Sequence, residues 1–203
     1  MLIDIVVLPP EKLRRRIGER TKKSARGISA GFIVDNKKFI PHLSLWHINT
    51  SRERLKKIEV ELAKLVKNQK QVLIKSSALN LAKMNVGVIA DIPVPMSKLL
   101  SALRDEVFRK IYRYKTGMMP PFRPFGVPTG KALKEFKKYG RAVWFYPHFT
   151  SAWVKSMEDA EKIKKGMSNL KVSFTAREIY ICRVNYQWQV NKIIKKINFG
   201  NVR

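Results

Sequence analysis

Cysteine, histidine and acidic side chains are all scarce in this sequence of 203 residues. The single cysteine, Cys182, excludes an internal disulfide and leaves no cysteine set for zinc. With three histidines in the chain, a metal site has few ligands to draw on, and neither a metal nor another cofactor is expected. Long apolar runs are missing too. The first, Leu2 to Leu8, carries Asp4 and ends at Pro9-Pro10, too short and too polar for a signal peptide, and nothing later approaches a membrane span. A cytoplasmic location away from membranes is expected. Against 42 Lys and Arg stand 15 Asp and Glu, a net charge of +27. Such an imbalance concerns partners rather than fold, and nucleic acid leads, with membrane surfaces and acidic proteins as alternatives. No Gly-rich phosphate loop follows a predicted strand, which argues against a doubly wound parallel sheet.

What the sequence does hold is a short sentence written twice. Phe39-Ile40-Pro41-His42-Leu43-Ser44-Leu45-Trp46 is answered, 106 residues on, by Phe145-Tyr146-Pro147-His148-Phe149-Thr150-Ser151-Ala152-Trp153. Two of the three histidines therefore occur in the same setting, Pro-His-apolar-hydroxyl. Side chains alternate along a strand, so His42 and Ser44 face one way, as do His148 and Thr150, while Leu43, Leu45 and Phe149 face the layer behind. If the two strands border one groove, two imidazoles flank two hydroxyls. That set suits phosphoryl transfer: one imidazole takes a proton from the attacking oxygen, the other protonates the departing one, and the hydroxyls donate to the non-bridging oxygens. A lone His-x-Ser on a strand is usually structural, and a duplication without chemistry is the bland alternative. The matched repeat outweighs both. His47, five positions after His42, faces away on a regular strand and is read as structural unless a bulge intervenes.

These two motifs, Pro41-His42-Leu43-Ser44 and Pro147-His148-Phe149-Thr150, resemble the paired His-x-Thr/Ser signatures of the 2H phosphoesterase superfamily, in particular its 2′-5′ RNA ligase-like and cyclic phosphodiesterase branch. The resemblance covers nearly the whole chain and implies a bilobed α+β fold, each lobe giving one motif to a central cleft. It also implies metal-independent attack on a cyclic phosphate or a 2′-5′ linkage. Ser44 stands where threonine is commoner, keeping the donor and losing a methyl group.

Along the chain, Leu2 to Leu8 reads as an inner strand. A helix follows Pro9-Pro10 with Leu13 and Ile17 on one side. From Lys12 to Arg26 the segment carries Lys12, Arg14, Arg15, Arg16, Arg20, Lys22, Lys23 and Arg26 against Glu19, either a solvated face or a track for a phosphate backbone. Gly27 to Gly31 reads as a loop, and Asp35-Asn36 as a turn. Thr50-Ser51-Arg52-Glu53 has the spacing of a capping box, and the helix after it carries Leu55, Ile58, Leu62 and Leu65 in one stripe against the back of the first lobe's sheet. Strands are expected at Val72 to Ile74, Ala78 to Leu81 and Val86 to Ala90. The next helix is expected from Met96 to about Tyr114, with Met96, Leu99, Leu103, Val107, Ile111 and Tyr114 in register.

Lys115 to Gly130 is too rich in Pro and Gly for a regular element and reads as a functional loop ahead of the second motif. Between Val107 and Ser156 there are eleven basic residues and one acidic, Glu135. Arg123, Lys131 and Arg141 are the expected phosphate contacts. Past the motif, a short helix begins at Ser156 and stops at Gly166, followed by strands at Val172 to Phe174, Glu178 to Val184 and Ile193 to Ile197. Arg183 and Tyr186, with Trp188, are candidates to stack on a base, with packing as the alternative.

The expectation is one α+β domain over 1–203 without a separate linker, bilobed, with two pseudo-symmetric, mostly antiparallel sheets, outer helices and a central cleft. It is expected to be a monomeric, metal-independent phosphoesterase acting on RNA termini or oligonucleotides, with His42, Ser44, His148 and Thr150 catalytic. Two alternatives are a hydrolase of small cyclic or 2′-5′ signalling nucleotides, and an RNA- or nucleotide-binding module without turnover.

Overall fold

A β-branched run, a Pro-Pro stop and a basic amphipathic segment open the chain as strand β1 (Leu2–Val7) and helix α1 (Glu11–Ser24), with Pro10 at the helix N-cap. Then come β2 (Ala30–Ile33), the first motif strand β3 (Leu43–Asn49), α2 (Arg52–Val66), β4 (Val72–Lys75) and β5 (Asn80–Lys83). The second half runs through β6 (Val88–Pro93), α3 (Lys98–Ile111), a single 3₁₀ turn at Tyr112–Tyr114, α4 (Gly130–Tyr139), the second motif strand β7 (His148–Val154) and α5 (Met157–Met167). It closes with β8 (Ser173–Ala176), β9 (Glu178–Val184) and β10 (Val190–Asn198). The structure, a computed structural model, describes residues 1–121, 126–141 and 143–200.

Every strand pairing is antiparallel. One lobe is the ribbon β10-β9-β1-β3, and the other is β7-β6-β5 with β2 on the free edge of β7. The two join through one residue pair, Leu43↔Phe149, beside the two motif histidines. β4 and β8 form a separate two-stranded sheet. The architecture is the expected α+β arrangement of two related antiparallel lobes, with the two sheets sharing one seam instead of standing fully apart.

Helices α1, α2, α3 and α5 cover one face. α2 and α3 pack on each other, α2 against β10 and α3 against β3, whereas α1 and α5 pack on each other and on β7. Each half thus sends its first helix to the back of the other half's sheet. Side chains pointing to this layer make the main core: Ile3, Ile5 and Val7 of β1, Leu43 and Ile48 of β3, Phe149 and Ala152 of β7, with Ile17, Ile58, Leu62, Leu103 and Ile163 from the helices. Truncating a fully buried ring such as Phe149 costs about 3–5 kcal/mol. The opposite face of β1 carries Asp4, Val6 and Leu8, and the latter two pack with Met119 and with Phe136 of α4.

Several local expectations are corrected. The N-cap of α2 is Ser51, whose hydroxyl accepts from the Arg54 N–H at 3.3 Å, while Thr50 donates to the Tyr114 carbonyl at 2.8 Å. Ser97 caps α3 and accepts from the Leu100 N–H, so Met96 precedes the helix. The buried stripe is Leu100, Leu103, Arg104, Val107 and Ile111, which leaves Leu99 and Met96 exposed. Gly166 does not stop α5: the helix runs through it to Met167, and the glycine is required there because α1 passes so close that a Cβ would meet Ser24 Oγ at 2.2 Å. The strand expected at Ala78 to Leu81 begins two residues later, and α4 arises where no element was expected, ended by Gly140 in the left-handed region at φ 91°.

Candidate active site

Proline ahead of each motif histidine sets an extended entry, and the strand that follows presents the imidazole and the hydroxyl on the face away from the helices. His42, Ser44, His148 and Thr150 line one cleft. The Nδ1 of His42 lies 2.8 Å from the Ile40 carbonyl, and the Nδ1 of His148 lies 2.8 Å from the Tyr146 carbonyl. A carbonyl only accepts, so each Nδ1 carries its proton there and each Nε2 keeps a lone pair for chemistry. The two rings also feel each other: burial, against the raising effect of the Ile40 carbonyl and with a smaller contribution from charge on His148, pushes the His42 pKa down to about 4.

The two strands share an irregularity that explains a third histidine. Opposite β1, Ser44 pairs with Val6 and Trp46 with Ile5, so Leu45 is an extra residue. Opposite β6, Thr150 pairs with Asp91 and Ala152 with Ala90, so Ser151 is an extra residue. Each bulge comes directly after the motif hydroxyl and reverses the alternation beyond it. His47 is therefore turned onto the same face as Ser44 and lines the cleft, correcting the expectation for a regular strand. Trp153 holds the equivalent place in the second half.

His47 joins a buried set that strand alternation alone did not assemble. Its Nε2 is 3.1 Å from Asp4 Oδ2, and its Nδ1 is 2.5 Å from Arg141 Nη1. The guanidinium can only donate, so His47 carries its proton on Nε2, and burial, with the Arg141 charge beside it, keeps the ring well below the usual imidazole range. Asp4, fully buried, has its pKa pushed up to about 7 by burial, opposed by the Ser44 hydroxyl and the Arg141 charge. His42 Nε2 lies 3.9 Å from the same carboxyl oxygen. Arg141 is itself held down to about 10 by burial, and its guanidinium lies over Trp46 at 5.2 Å and Trp188 at 5.9 Å.

Around His148 the partners differ. The Tyr146 ring stacks on the imidazole at 5.1 Å, and its hydroxyl donates to Asp91 at 3.3 Å. Burial raises the Asp91 pKa, and charge on His148 opposes it. Trp144 and Tyr146, 54% and 40% exposed, form an aromatic rim. Buried Arg104 of α3 closes the floor, donating to the Val143 carbonyl and stacked over Trp46 and Phe145. The β9–β10 turn leans in from the other side: Trp188, at φ 59°, donates its indole N–H to the Pro120 carbonyl at 3.0 Å and faces His47.

Of the expected phosphate and base contacts, Arg141 lines the cleft. Lys131 is exposed in the first turn of α4, and Arg183 is exposed on β9, with its Nε donating to Asn191 at 3.4 Å. Tyr186 is 77% exposed at the tip of the turn. None of these three lines the cleft, and the turn that carries Tyr186 presents Trp188 and Gln189 to it instead. Arg123 lies outside the described residues. Among the described residues no cluster of three His, Cys, Asp or Glu side chains is arranged to hold a metal ion, and no helix is long and apolar enough to cross a membrane. Sequence reasoning missed Asp4 and Arg104. A solitary carboxylate inside an apolar strand was the available signal for the first.

No protein-family model and no curated protein matches the sequence. Solved structures do match over nearly the full length of both chains. TT0787 of Thermus thermophilus superposes with a TM-score of 0.65 at 13% identity, covering 99% of this chain and 100% of that one. LigT of E. coli, in a complex with 3′-AMP, gives 0.60 at 12% identity with 97% of each chain covered. Usb1 of Kluyveromyces marxianus gives 0.51 at 12% identity with 98% of each covered. Paired motifs, bilobed antiparallel sheets and these superpositions agree: the chain has the 2H phosphoesterase fold.

Proposed function

We propose that the protein is a metal-independent phosphoesterase acting on RNA termini or oligonucleotides, opening 2′,3′-cyclic phosphates by paired-histidine acid–base catalysis. The observation that carries this reading is the matched tautomer of His42 and His148, each with Nε2 free in one cleft beside a hydroxyl. Water attacks phosphorus, its proton passes to the Nε2 lone pair of one histidine, the bond to one ribose oxygen breaks, and that oxygen takes the Nε2 proton of the other histidine, which enters the step as imidazolium with its Nδ1 proton still donated to the carbonyl. Burial keeps His42 neutral and so suits it to accept the proton, which leaves the donor's part to His148. Ser44 and Thr150 donate to the non-bridging oxygens, and Arg141 supplies positive charge near them. The aromatic rim of Trp144 and Tyr146 offers flat faces for a base. LigT, which superposes on this chain over nearly its full length, has been solved with 3′-AMP. Reversal of the same steps would join a cyclic phosphate to a 5′-hydroxyl.

The test is hydrolysis of an RNA ending in a 2′,3′-cyclic phosphate, in excess EDTA, by wild type, His42→Ala and His148→Ala, with the product resolved as 2′- or 3′-phosphate. Turnover that survives EDTA and collapses in both variants is expected. Turnover of 2′-5′ oligonucleotides or cyclic dinucleotides alone would move the substrate to small signalling nucleotides. Binding without turnover of any of these would make the protein a binding module.

A further inference from the structure

The basic run of α1 takes no part in the cleft. It forms one wall of a groove whose floor holds Leu13 and Phe174 and whose other wall begins at Ser173. Lys12, Arg15 and Arg16 line this wall, all exposed. Through Ser173 the groove continues into a second one, where Lys171 and Lys75 stand among the hydroxyl-bearing Ser76, Ser77 and Ser168. The joined channel therefore carries five cations against one carboxylate, Glu19. The Arg16 guanidinium donates to the Lys171 carbonyl at 3.0 Å and ties the two walls together. Arg15 also pairs with Glu11 at 3.0 Å, an exposed contact that an incoming phosphate can displace at little cost.

Its position separates it from the candidate active site. Channel and cleft share no lining residue. Phe149 points away from the cleft, between His148 and Thr150, and its ring meets that of Phe174 at 6.3 Å. The channel thus lies behind β7, one side-chain layer from the chemistry.

We propose that this channel is a second nucleic-acid site, a track for the phosphate backbone of RNA. Cations spaced along a concave path and interspersed with hydroxyls match a chain of phosphates, contacts that position a strand without reading its bases. Leu13 and Phe174, the largest apolar side chains lining the first groove, are only partly exposed, which favours a phosphate chain over a lipid surface that needs protruding apolar groups. The track adds to the proposed activity without depending on it, since it needs no reactive end. It would hold the body of an RNA whose terminus reaches the cleft around the molecule, so it would favour long substrates over short ones.

The experiment compares wild type with K12E/R15E/R16E and, on a different element, K75E/K171E. Binding to an RNA of about 20 nucleotides lacking a cyclic end, enough to round a globule of about 17 Å radius of gyration, is followed against salt. Each variant is expected to bind at least about tenfold more weakly at low salt, with the salt slope of the triple variant reduced by about 2. Hydrolysis of a cyclic mononucleotide is measured alongside and is expected to stay at the wild-type rate, which reports on the cleft separately and shows that the variants are folded. Unchanged RNA affinity and slope in both variants would overturn the track, as would a wild type that does not bind this RNA. A loss confined to anionic vesicles, with RNA binding intact, would assign the surface to membranes instead.

Discussion

His47 and Arg141 meet at 2.5 Å inside the protein, imidazole nitrogen to guanidinium nitrogen, in a pair that exists only because β3 carries one extra residue at Leu45. Arg141 is thereby fixed between two indole faces, Trp46 and Trp188, with its charge directed toward Asp4. Arg141→Lys keeps the charge and loses the planar stack and the fixed N–H to His47. A rise in KM of at least about tenfold for a cyclic nucleotide is expected, together with a lower melting temperature. Steady-state kinetics with a thermal melt checks both, and an unchanged KM would remove Arg141 from substrate binding.

Burial of His42 sets the expected acid limb of the reaction. The limb of kcat/KM reports the free enzyme, in which His42 titrates near 4 and not near 6.5. Activity on a cyclic nucleotide should therefore hold as pH falls from 7 to about 5 and decline only below that. A limb near 6.5 would give the base's part to another group. Because the two imidazoles interact, the limb belongs to the pair.

Asp4 makes a stability prediction of a particular sign. Its folded pKa of about 7 lies above the ordinary 3.8, so between these values the folded state binds more protons than the unfolded one, and this contribution to stability is lost as pH rises from about 4 to 7. Asp4→Asn abolishes that titration. The stability of the variant relative to wild type should rise across this window, by up to about 4 kcal/mol at three pKa units of difference, and level off above it. Urea melts at several pH values check this, and a flat difference would contradict it. Wild type alone is less informative, because His42 and His47, both depressed, lose their contribution in the opposite direction, as pH falls below 6.5.

Trp153 is seated over two glycines. A Cβ on Gly31 would lie 2.3 Å from its ring, and one on Gly87 would lie 2.3 Å from the Val154 carbonyl at a φ of 81°. Gly31→Ala must push a side chain aside, at about 1–3 kcal/mol. Gly87→Ala meets backbone and also adopts a disfavoured conformation, so it should cost more. Denaturant midpoints of the two variants check the order.

How far the chain could be read before folding depended on whether a feature left a local trace. His42 with Ser44, and His148 with Thr150, are two residues apart, and strict alternation carries each pair onto one face. The helix at α2 announced itself by apolar spacing. Bulges leave no such trace, since one extra residue changes neither composition nor hydropathy. That is why His47 was expected to face away and instead lines the cleft. Charge counts located a basic approach to His148 without telling Arg141, in the cleft, from Lys131, outside it. Asp4 did leave a mark, a carboxylate amid Ile and Val, but which partners met it depended on pairing between segments over forty residues apart in the chain.

The exchange of helices between the two halves has a consequence for how the molecule assembles. α1 is made early, yet the surface it covers, α5 and β7, belongs to the last third of the chain. α3 in turn returns to β3 and α2, well upstream. A fragment ending between β5 and β6 would thus leave α1 without its bed and the rear of β3 bare. The two halves, produced separately, should each remain largely unstructured and gain order only on mixing. Synthesis on the ribosome would likewise postpone the completed core until β7 and α5 emerge, so that much of the apolar surface stays uncovered until late in translation.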